Sequence, residues 1–188
     1  MSEQLERALA FHCAPALAGI KAANLICLPR AEYPALEQEL AVYNAAFRSK
    51  RVCFQVLCEC RGRALVLVYR PVLLELALVR PLAVRLLAEA GYPAHASLAG
   101  LLDHLGARLQ AGRGAFPHEI GLFLDYPPED VQDFQRYRGK GCKLCGHWKV
   151  YHDPEGALRC FRRYDQCRDA LCSRISQGLT LIRMFCAA

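Results

Sequence analysis

The chain has 188 residues, of which 54% are hydrophobic and 22% charged, and its net charge is +6. This composition excludes an intrinsically disordered chain, and the length is sufficient to bury a core without disulfide bonds. We therefore expect a single domain over residues 1–188.

The positive charge lies in one segment of the chain. Residues 136–174 contain ten Lys or Arg against four Asp or Glu, which equals the whole net charge. A basic segment can bind phosphate, nucleic acid or an acidic protein partner, and a solvated helix face explains it equally well. Because acids such as Asp165 and Asp169 are interleaved with the basic residues, we do not expect nucleic acid.

The N-terminus and the most apolar region both argue against export and membrane insertion. Glu3 and Glu6 stand where a secretory signal has basic residues. The apolar region from Ala64 lacks the ~20 uninterrupted apolar residues of a spanning helix. We expect a cytoplasmic protein without a membrane segment, in which the eleven cysteines, an odd number, are free thiols or metal ligands.

The first third of the chain predicts helices. Leu5 and Leu9 follow helical spacing, Pro15 is expected to interrupt that helix, and a second apolar run covers residues 17–28. A third helix is expected after Pro34, where apolar residues recur on one face. These residues are Leu36, Leu40, Tyr43 and Phe47.

The middle of the chain predicts a hairpin followed by helices. Two β-rich runs, 52–58 and 64–69, flank Gly62, and the second is apolar on both faces, as in a strand covered on both sides. Pro71 begins a helical stretch that Pro81 breaks. Ser97 is then the predicted N-cap of a helix that continues to Leu109.

The last third combines a loop, two helices and a strand. The glycine-rich stretch from Gln110 to Gly121 predicts a loop, and Pro128 begins a helix whose first-turn acids, Glu129 and Asp130, suit the helix dipole. The stretch "HWKVYHD" alternates as a strand does, and Asp153 is the predicted N-cap of the final helix.

These elements predict an α+β fold. We expect a small, mainly antiparallel sheet that is built on the central hairpin and packed by roughly six or more helices. We also expect the strand near Trp148 to extend this sheet.

The stretch "GKGCKLCGHW" carries a CxxC pair, Cys142 and Cys145, followed by Gly146. Two thiolates at this spacing can grip one metal ion, pair as redox thiols, or belong to a structural turn. The ligands that would complete a metal site are sought among His147, His152, Cys160 and Cys167. Cys160 and Cys167 lie ~10 Å apart along the predicted helix, so both cannot bind one zinc ion.

Two further stretches carry chemically competent side chains. His12 and Cys13 stand at the expected helix break, with Lys21 and Asn24 downstream, which supplies a thiol, an imidazole and polar groups. In the second stretch His118 precedes Glu119 in "FPHEIG", where the pair can serve a ligand site. Alternatively, Glu119 caps the turn and His118 packs against an aromatic ring.

Three stretches, "FHCAPALAGIKAANL", "FPHEIGLFLDYPPEDVQDF" and "CGHWKVYHD", together resemble a family of uncharacterised bacterial proteins of similar length, found largely in anaerobes and classed as a domain of unknown function. The resemblance covers nearly the whole chain. The residues that carry it are His12, Cys13, Pro15, Gly19, Lys21 and Asn24, then His118, Glu119, Gly121, Tyr126 and Pro127, and finally Cys145, Gly146, Trp148, Lys149 and Tyr151.

The resemblance implies a shared site. It suggests that Cys13, His118 and Cys145 gather in one pocket, and it favours Cys145 over Cys142 as the functional thiol. The candidate cofactor-contacting residues are His12, Lys21, Asn24, Trp148, Lys149 and Tyr151.

The favoured functional hypothesis is a cytoplasmic thiol-bearing protein that binds a metal or a metal-containing cofactor, with iron or zinc as the candidate metal. The candidate metal ligands are Cys142, Cys145 and His147, with Cys13 as a further soft ligand and His118 or His12 as a further imidazole. Basic residues near Lys149 would hold an anionic group.

Two alternatives belong to other classes. The first is a cysteine-dependent enzyme for a small molecule, in which Cys13 or Cys145 is the nucleophile, His118 the base and Glu119 its orienting partner. The second is an adaptor whose basic terminal helix docks an acidic redox partner.

Overall fold

In a computed structural model, residues 2–112 and 116–186 are described. Within these residues the α-helices are α1 (Glu3–Leu17), α2 (Leu36–Ala46), α3 (Pro71–Leu78), α4 (Pro81–Glu89), α5 (Leu98–Ala111), α6 (Ile120–Phe123), α7 (Pro128–Tyr137), α8 (Pro154–Ser176) and α9 (Leu181–Cys186). The strands are β1 (Ala23–Pro29), β2 (Cys53–Cys60), β3 (Arg63–Tyr69), β4 (Leu144–Cys145) and β5 (Lys149–Val150). None of the described helices is both long and apolar enough to cross a lipid bilayer.

The central feature is an antiparallel three-stranded sheet in the order β1-β3-β2. The hairpin predicted around Gly62 forms β2 and β3, and β3 lies in the middle with residues 64–68 all buried. Alternating side chains of a strand point to opposite faces, so each face of β3 needs its own cover. The α+β prediction and the doubly covered strand are thus confirmed.

Each face of the sheet packs against its own group of helices. One hydrophobic core joins α1, α2, the C-terminal half of α8 and α9 to the face that carries Val66 and Val68. The other core joins residues of α3 to α7 to the face that carries Leu65 and Leu67. A third and smaller core lies between α8 and the ribbon formed by β4 and β5.

The helix prediction for residues 17–28 is wrong, because the second half of this run lies in the edge strand β1. Gly19 adopts a left-handed φ of 79°, which ends the helical segment and starts a turn. Residues 23–29 then pair with β3, with Cys27 opposite Leu65. An apolar run of this length fits a buried helix or a strand equally well, and pairing with β3 decides the outcome.

Pro15 does not interrupt the first helix, contrary to the prediction. It lies in the last turn of α1, which continues to Leu17, and it is buried. The amide of Ala16 donates to the side-chain oxygen of Asn24, at 3.0 Å, so an end of the helix is supported from β1. A proline this close to a helix end removes little of the hydrogen-bond ladder.

The strand predicted near Trp148 does not extend the hairpin sheet. Strands β4 and β5 instead form a separate two-stranded ribbon, with Leu144 opposite Val150 and Cys145 opposite Lys149. Strands of two residues offer too few ladder hydrogen bonds to join a sheet on their own, and the apolar side of the ribbon is covered by α8.

The predicted helix boundaries in the second half are confirmed. Pro81 begins α4 directly after α3 has ended, and Ser97 caps α5 by accepting a hydrogen bond from the Gly100 amide. Asp153 caps α8 in the same way through the Gly156 amide, at 2.9 Å. The loop predicted between Gln110 and Gly121 includes residues 113–115, which lie outside the described residues.

Candidate functional site

The second and third motif-bearing stretches line one cavity of about 450 Å³. It opens between the segment 116–134 and the β4–β5 ribbon. His118 and Cys145 both line it, although they lie in different segments of the chain. The other lining residues are Phe116, Pro117, Ile120, Gly121, Leu124, Tyr126, Asp130, Val131, Phe134, Gly146, Trp148 and Lys149.

Aromatic rings form much of the wall of this cavity. Tyr126 stacks on Trp148 with ring centroids 5.3 Å apart, and Trp148 meets Phe161 of α8 edge to face at 4.5 Å. His118 packs against Phe134 edge to face at 5.2 Å. The wall is therefore largely apolar, with an imidazole and a thiol among its few polar groups.

A buried carboxylate fixes the ribbon to α7. Asp130 accepts a hydrogen bond from the Trp148 indole N–H at 2.8 Å through Oδ2. Its Oδ1 accepts from the amides of Tyr151 and His152, at 2.8 Å and 3.1 Å. Three N–H donors compensate for the burial of this carboxylate, which is only 3% exposed.

Sequence reasoning missed this role of Asp130. From the sequence, Asp130 and Glu129 are both predicted to interact with the helix dipole. The sequence pattern alone does not distinguish an acid of a first helical turn that faces the core from one that faces solvent, and here Asp130 is buried while Glu129 is exposed.

Lys149 supplies positive charge at the cavity. Its ammonium donates to the carbonyl oxygen of Gly139 at 2.7 Å and lies 5.8 Å from the centre of the Phe134 ring. Gly139 has a left-handed φ of 74°, and a Cβ there would come within 3.1 Å of the Lys149 Nζ. A lysine carries three donors, so a ligand can share this ammonium with the carbonyl.

The two cysteines of the CxxC pair and His147 lie in different surroundings. Cys145 is exposed and lines the cavity, whereas Cys142 is half-buried and lies near Tyr151. His147 turns towards α8, where its Nε2 lies 3.1 Å from the Asp165 carboxylate. Within residues 2–112 and 116–186, no three His, Cys, Asp or Glu side chains are grouped so that they could hold a metal ion.

Cys13 is not among the residues that line this cavity. It is fully buried in the core that contains α1, and burial raises the pKa of its thiol to about 12, although nearby Lys21 opposes the shift. His12 is exposed on the same helix, packs edge to face against Phe11, and has a pKa lowered by partial burial. The structure therefore brings together His118 and Cys145 but leaves out the first stretch.

Glu119 binds partners other than His118. Its buried carboxylate accepts a hydrogen bond from the Arg108 guanidinium at 2.5 Å and another from the Tyr92 hydroxyl at 3.3 Å. These contacts tie α5 to the start of α6. The geometry assigns Glu119 a structural ion pair, whereas His118 is held by its ring contact with Phe134.

Neither Lys21 nor Asn24 is among the residues that line this cavity. Asn24 holds the end of α1, as described above. Lys21 is buried in the turn between α1 and β1, and its ammonium faces the rings of Tyr126 at 5.0 Å and Tyr164 at 5.5 Å. Burial lowers the pKa of Lys21 to about 8, an effect that Asp125 and nearby thiols partly oppose.

A second cavity, of about 920 Å³, lies between residues 125–130 and the first turns of α8. Trp148 and Asp130 line both cavities. Tyr151 lines neither of them. It is buried, and its hydroxyl is the one buried side-chain oxygen or nitrogen without a hydrogen-bond partner in the described part of the chain.

A family model described as Protein of unknown function (DUF3793) matches residues 9–185. The resemblance inferred from the three stretches is thus confirmed over nearly the whole chain. A search of curated proteins and a search of solved structures gave no match.

Proposed function

The chain belongs to the family described as Protein of unknown function (DUF3793), and as its function we propose the binding of a small ligand that has an apolar body and an anionic group. The ligand occupies the cavity of about 450 Å³ that His118 and Cys145 share. The convergence of these two side chains on one aromatic-walled cavity carries the proposal.

The size and lining of the cavity favour a small molecule. Cavities that bind small molecules have volumes of about 300–1,000 Å³, and most are apolar with a few polar groups that orient the ligand. The Tyr126 and Trp148 rings supply the apolar surface here, and Asp130 holds the Trp148 ring in place. A preformed wall of this kind lowers the entropy lost on binding.

The charge of the wall favours an anionic group on the ligand. The Lys149 ammonium lines the cavity, and its hydrogen bond to Gly139 fixes its position without neutralising its charge. The Asp130 carboxylate, which also lines the cavity, is engaged by three N–H donors. Because the oxygens of Asp130 are occupied by these donors while Lys149 has donors to spare, Lys149 is the charged lining group that can bind a carboxylate or a phosphate.

Cys145 and His118 determine the chemistry available to the bound ligand. A thiolate and an imidazole are soft and borderline ligands for iron or zinc. Since the described residues offer no group of three ligands, a metal in this site would arrive within a cofactor that brings its own ligands. The same two side chains can also act as nucleophile and base on an organic ligand, and the buried Cys13 is less suited to that role.

The binding proposal can be tested with a matched pair of ligands. We expect 1-naphthyl phosphate to bind with measurable heat in titration calorimetry, and uncharged 1-naphthol to bind more weakly. Lys149→Met should weaken binding of the phosphate at least tenfold and leave the naphthol unaffected, and Lys149→Arg should restore most of the difference. The exposed Lys143 of the same ribbon, changed to Met, is the control.

Two results would contradict the binding proposal. One is the absence of saturable binding of either compound to the folded protein. The other is that Lys149→Met and Trp148→Leu both bind 1-naphthyl phosphate as strongly as wild type does, because both side chains line the cavity.

The metal-containing form of the proposal has its own test. The protein is purified without oxygen, chelator or affinity tag and is compared with Cys145→Ser by elemental analysis and absorption spectroscopy. Near-stoichiometric iron or zinc that is lost in the variant would support a metal-containing ligand on Cys145. Metal-free, colourless wild-type protein would contradict the metal-containing form of the proposal and would favour an organic ligand or thiol chemistry at Cys145.

A role as an adaptor is the second candidate function. The observation that favours it is a row of exposed arginines on α8, namely Arg159, Arg162 and Arg163. Docking of an acidic redox partner on this face predicts association that weakens with salt and tolerates Cys13→Ser. Association that is insensitive to salt would contradict it.

A further inference from the structure

Helix α3 is apolar on its outer side as well as on its inner side. Leu74, Ala77 and Leu78 pack into the core, and Glu75 is the single charged residue of the helix. A helix at the surface of a soluble protein normally has a polar outer face, and a helix that is hydrophobic all round is normally buried. The outer face of α3 is therefore expected to be covered by another molecule.

Exposed apolar side chains are concentrated on α3 and α4. In the part of the chain that the structure describes, ten large hydrophobic side chains are exposed, and five of them fall within residues 72–84. These five, which we call the α3–α4 patch, are Val72, Leu73, Leu76, Val79 and Val84. Single exposed hydrophobic residues are ordinary, whereas a group of them on one surface marks an interaction site.

The patch combines a ridge with a hollow. Val72, Leu76 and Val79 recur at the i, i+4 and i+7 spacing of one helix face, so they form a ridge along α3. Val79 and Val84 also line a third cavity, of about 660 Å³, which α4 and the start of α5 enclose with mostly apolar side chains. A ridge beside a hollow fits a second copy of the same surface, because a two-fold axis brings each ridge to the hollow of the other copy.

The charges at the edge of the patch also match a second copy. Glu75 is exposed, lines the third cavity and makes no ion pair within residues 2–112 and 116–186. Arg80 follows the patch residue Val79 and is half exposed. Its guanidinium meets Asp125 at 3.3 Å and has further N–H donors to offer. A surface that meets its own copy needs both signs of charge, because a single sign would face itself and repel.

We propose that the chain forms a two-fold symmetric dimer through the α3–α4 patch. The ridge of each copy lies against the third cavity of the other, and Glu75 of each copy pairs with Arg80 of the second. The patch and its charged edge have the apolar centre and polar rim of a protein interface. None of the patch residues lines the ligand cavity proposed above, so the dimer does not rest on that proposal.

The molar mass of the full chain in solution tests the proposal. We expect light scattering to give about twice 21.0 kDa at about 50 µM chain, and a lower mass on dilution, because an interface of modest size gives micromolar affinity. Protein that stays monomeric at every concentration would overturn the proposal, and the patch would then belong to a different partner.

Leu76→Glu tests the place of the interface. Leu76 is 60% exposed, so the variant is expected to fold, which circular dichroism checks. We expect the dissociation constant of the dimer to rise roughly tenfold or more, because a carboxylate would be buried at the apolar centre. Val42→Glu on α2, where the side chain is 49% exposed, is the matched control and should leave the constant unchanged. A dimer that persists in Leu76→Glu, or equal effects of the two variants, would overturn the α3–α4 patch as the interface.

Glu75→Lys tests the choice of a second copy as the partner. With this change the edge of the patch becomes positive in both copies, so dimerisation should weaken roughly threefold or more at low salt and less at high salt. An unchanged dissociation constant would overturn the pairing of Glu75 with Arg80. These measurements use neither Lys149 nor 1-naphthyl phosphate, so their failure is distinguishable from failure of the ligand site.

Discussion

At the scale of single residues, Lys21 has a measurable effect on stability. Its pKa lies at about 8 in the folded protein against 10.5 for a free side chain, because burial disfavours the charged form. Between these two values the unfolded chain binds more protons than the folded one. The contribution of Lys21 to stability therefore rises with pH across this window, and below it the folded protein bears the full penalty.

We accordingly expect Lys21→Met to be more stable than wild type at pH 7, by roughly 1–3 kcal/mol. The lower part of this range allows for the contacts with two tyrosine rings, which recover part of the penalty in wild type. Urea unfolding at neutral pH and at about pH 9.5 measures the gain, which should shrink at the higher pH. The exposed Lys50→Met is the control, and a variant less stable than wild type at pH 7 would refute the argument.

Asp130 is a residue whose loss should loosen the whole ribbon. In Asp130→Asn one of the two oxygens becomes an NH₂ group, which must face at least one of the N–H donors of Trp148, Tyr151 and His152. We expect a loss of about 2–4 kcal/mol in the free energy of unfolding, because buried donors lose their acceptor. A red shift of the emission of Trp148, the single tryptophan, should accompany this loss.

Asp133 offers the matched control for this prediction. It lies on the same helix, and its carboxylate meets the exposed ring of His152 at 2.9 Å. Asp133→Asn should change stability by less than about 1 kcal/mol. Equal losses in the two variants would mean that Asp130 does not anchor the ribbon.

At the scale of elements, the contact between α5 and the edge strand β2 depends on one glycine. A register shift between Val56 and Cys58 leaves Leu57 in a bulge. A Cβ on Gly106 of α5 would lie 2.5 Å from the Leu57 carbonyl oxygen, whereas a Cβ on Gly100 in the same helix meets its nearest atom at 3.6 Å. The helix can cover the bulged edge only because residue 106 has no side chain.

The two glycines should therefore respond to alanine with opposite signs. We expect Gly100→Ala to stabilise the protein by up to about 1 kcal/mol, because alanine favours helix. Gly106→Ala should destabilise it by about 1–3 kcal/mol, because a backbone atom must move. Thermal unfolding of the two variants decides the point, and a stabilising Gly106→Ala would show that α5 does not approach β2 so closely.

At the scale of the whole molecule, the fold sorts the cysteines by accessibility. Cys13 and Cys58 are buried, and burial raises their thiol pKa values to about 12 and about 11. Cys27, Cys60 and Cys145 are exposed. We expect iodoacetamide to label the exposed three in the native protein, and to label Cys13 and Cys58 only in urea. Native labelling of Cys13 would contradict its placement in the core.

Much of this architecture could be predicted from local patterns, and the exceptions have a common physical cause. Some features depend only on residues that are close in sequence, and these can be predicted. They include the helix caps at Ser97 and Asp153 and the hairpin around Gly62. The second half of the apolar run at 17–28 forms β1 because it pairs with β3, which lies elsewhere in the chain.

The same limit applies to the candidate site. The two stretches that contain His118 and Cys145 could be singled out by residue type. Three features of the site depend instead on contacts between distant segments. They are the cavity shared by His118 and Cys145, the ion pair between Glu119 and Arg108, and the anchoring role of Asp130. Residue type and spacing carry no information on such contacts. The shared pocket that the resemblance implies for Cys13, His118 and Cys145 therefore fails at Cys13, which does not line the cavity.

The packing of α1 has a consequence for the order in which the protein folds during synthesis. Its apolar face meets Leu171 and Leu181 in one core, and the buried Glu6 carboxylate accepts a hydrogen bond from the Leu181 amide at 2.8 Å. During synthesis α1 must therefore wait for these distant residues before its core can close. Until then α1 exposes an apolar surface, and we expect nascent chains to bind chaperones that shield such surfaces.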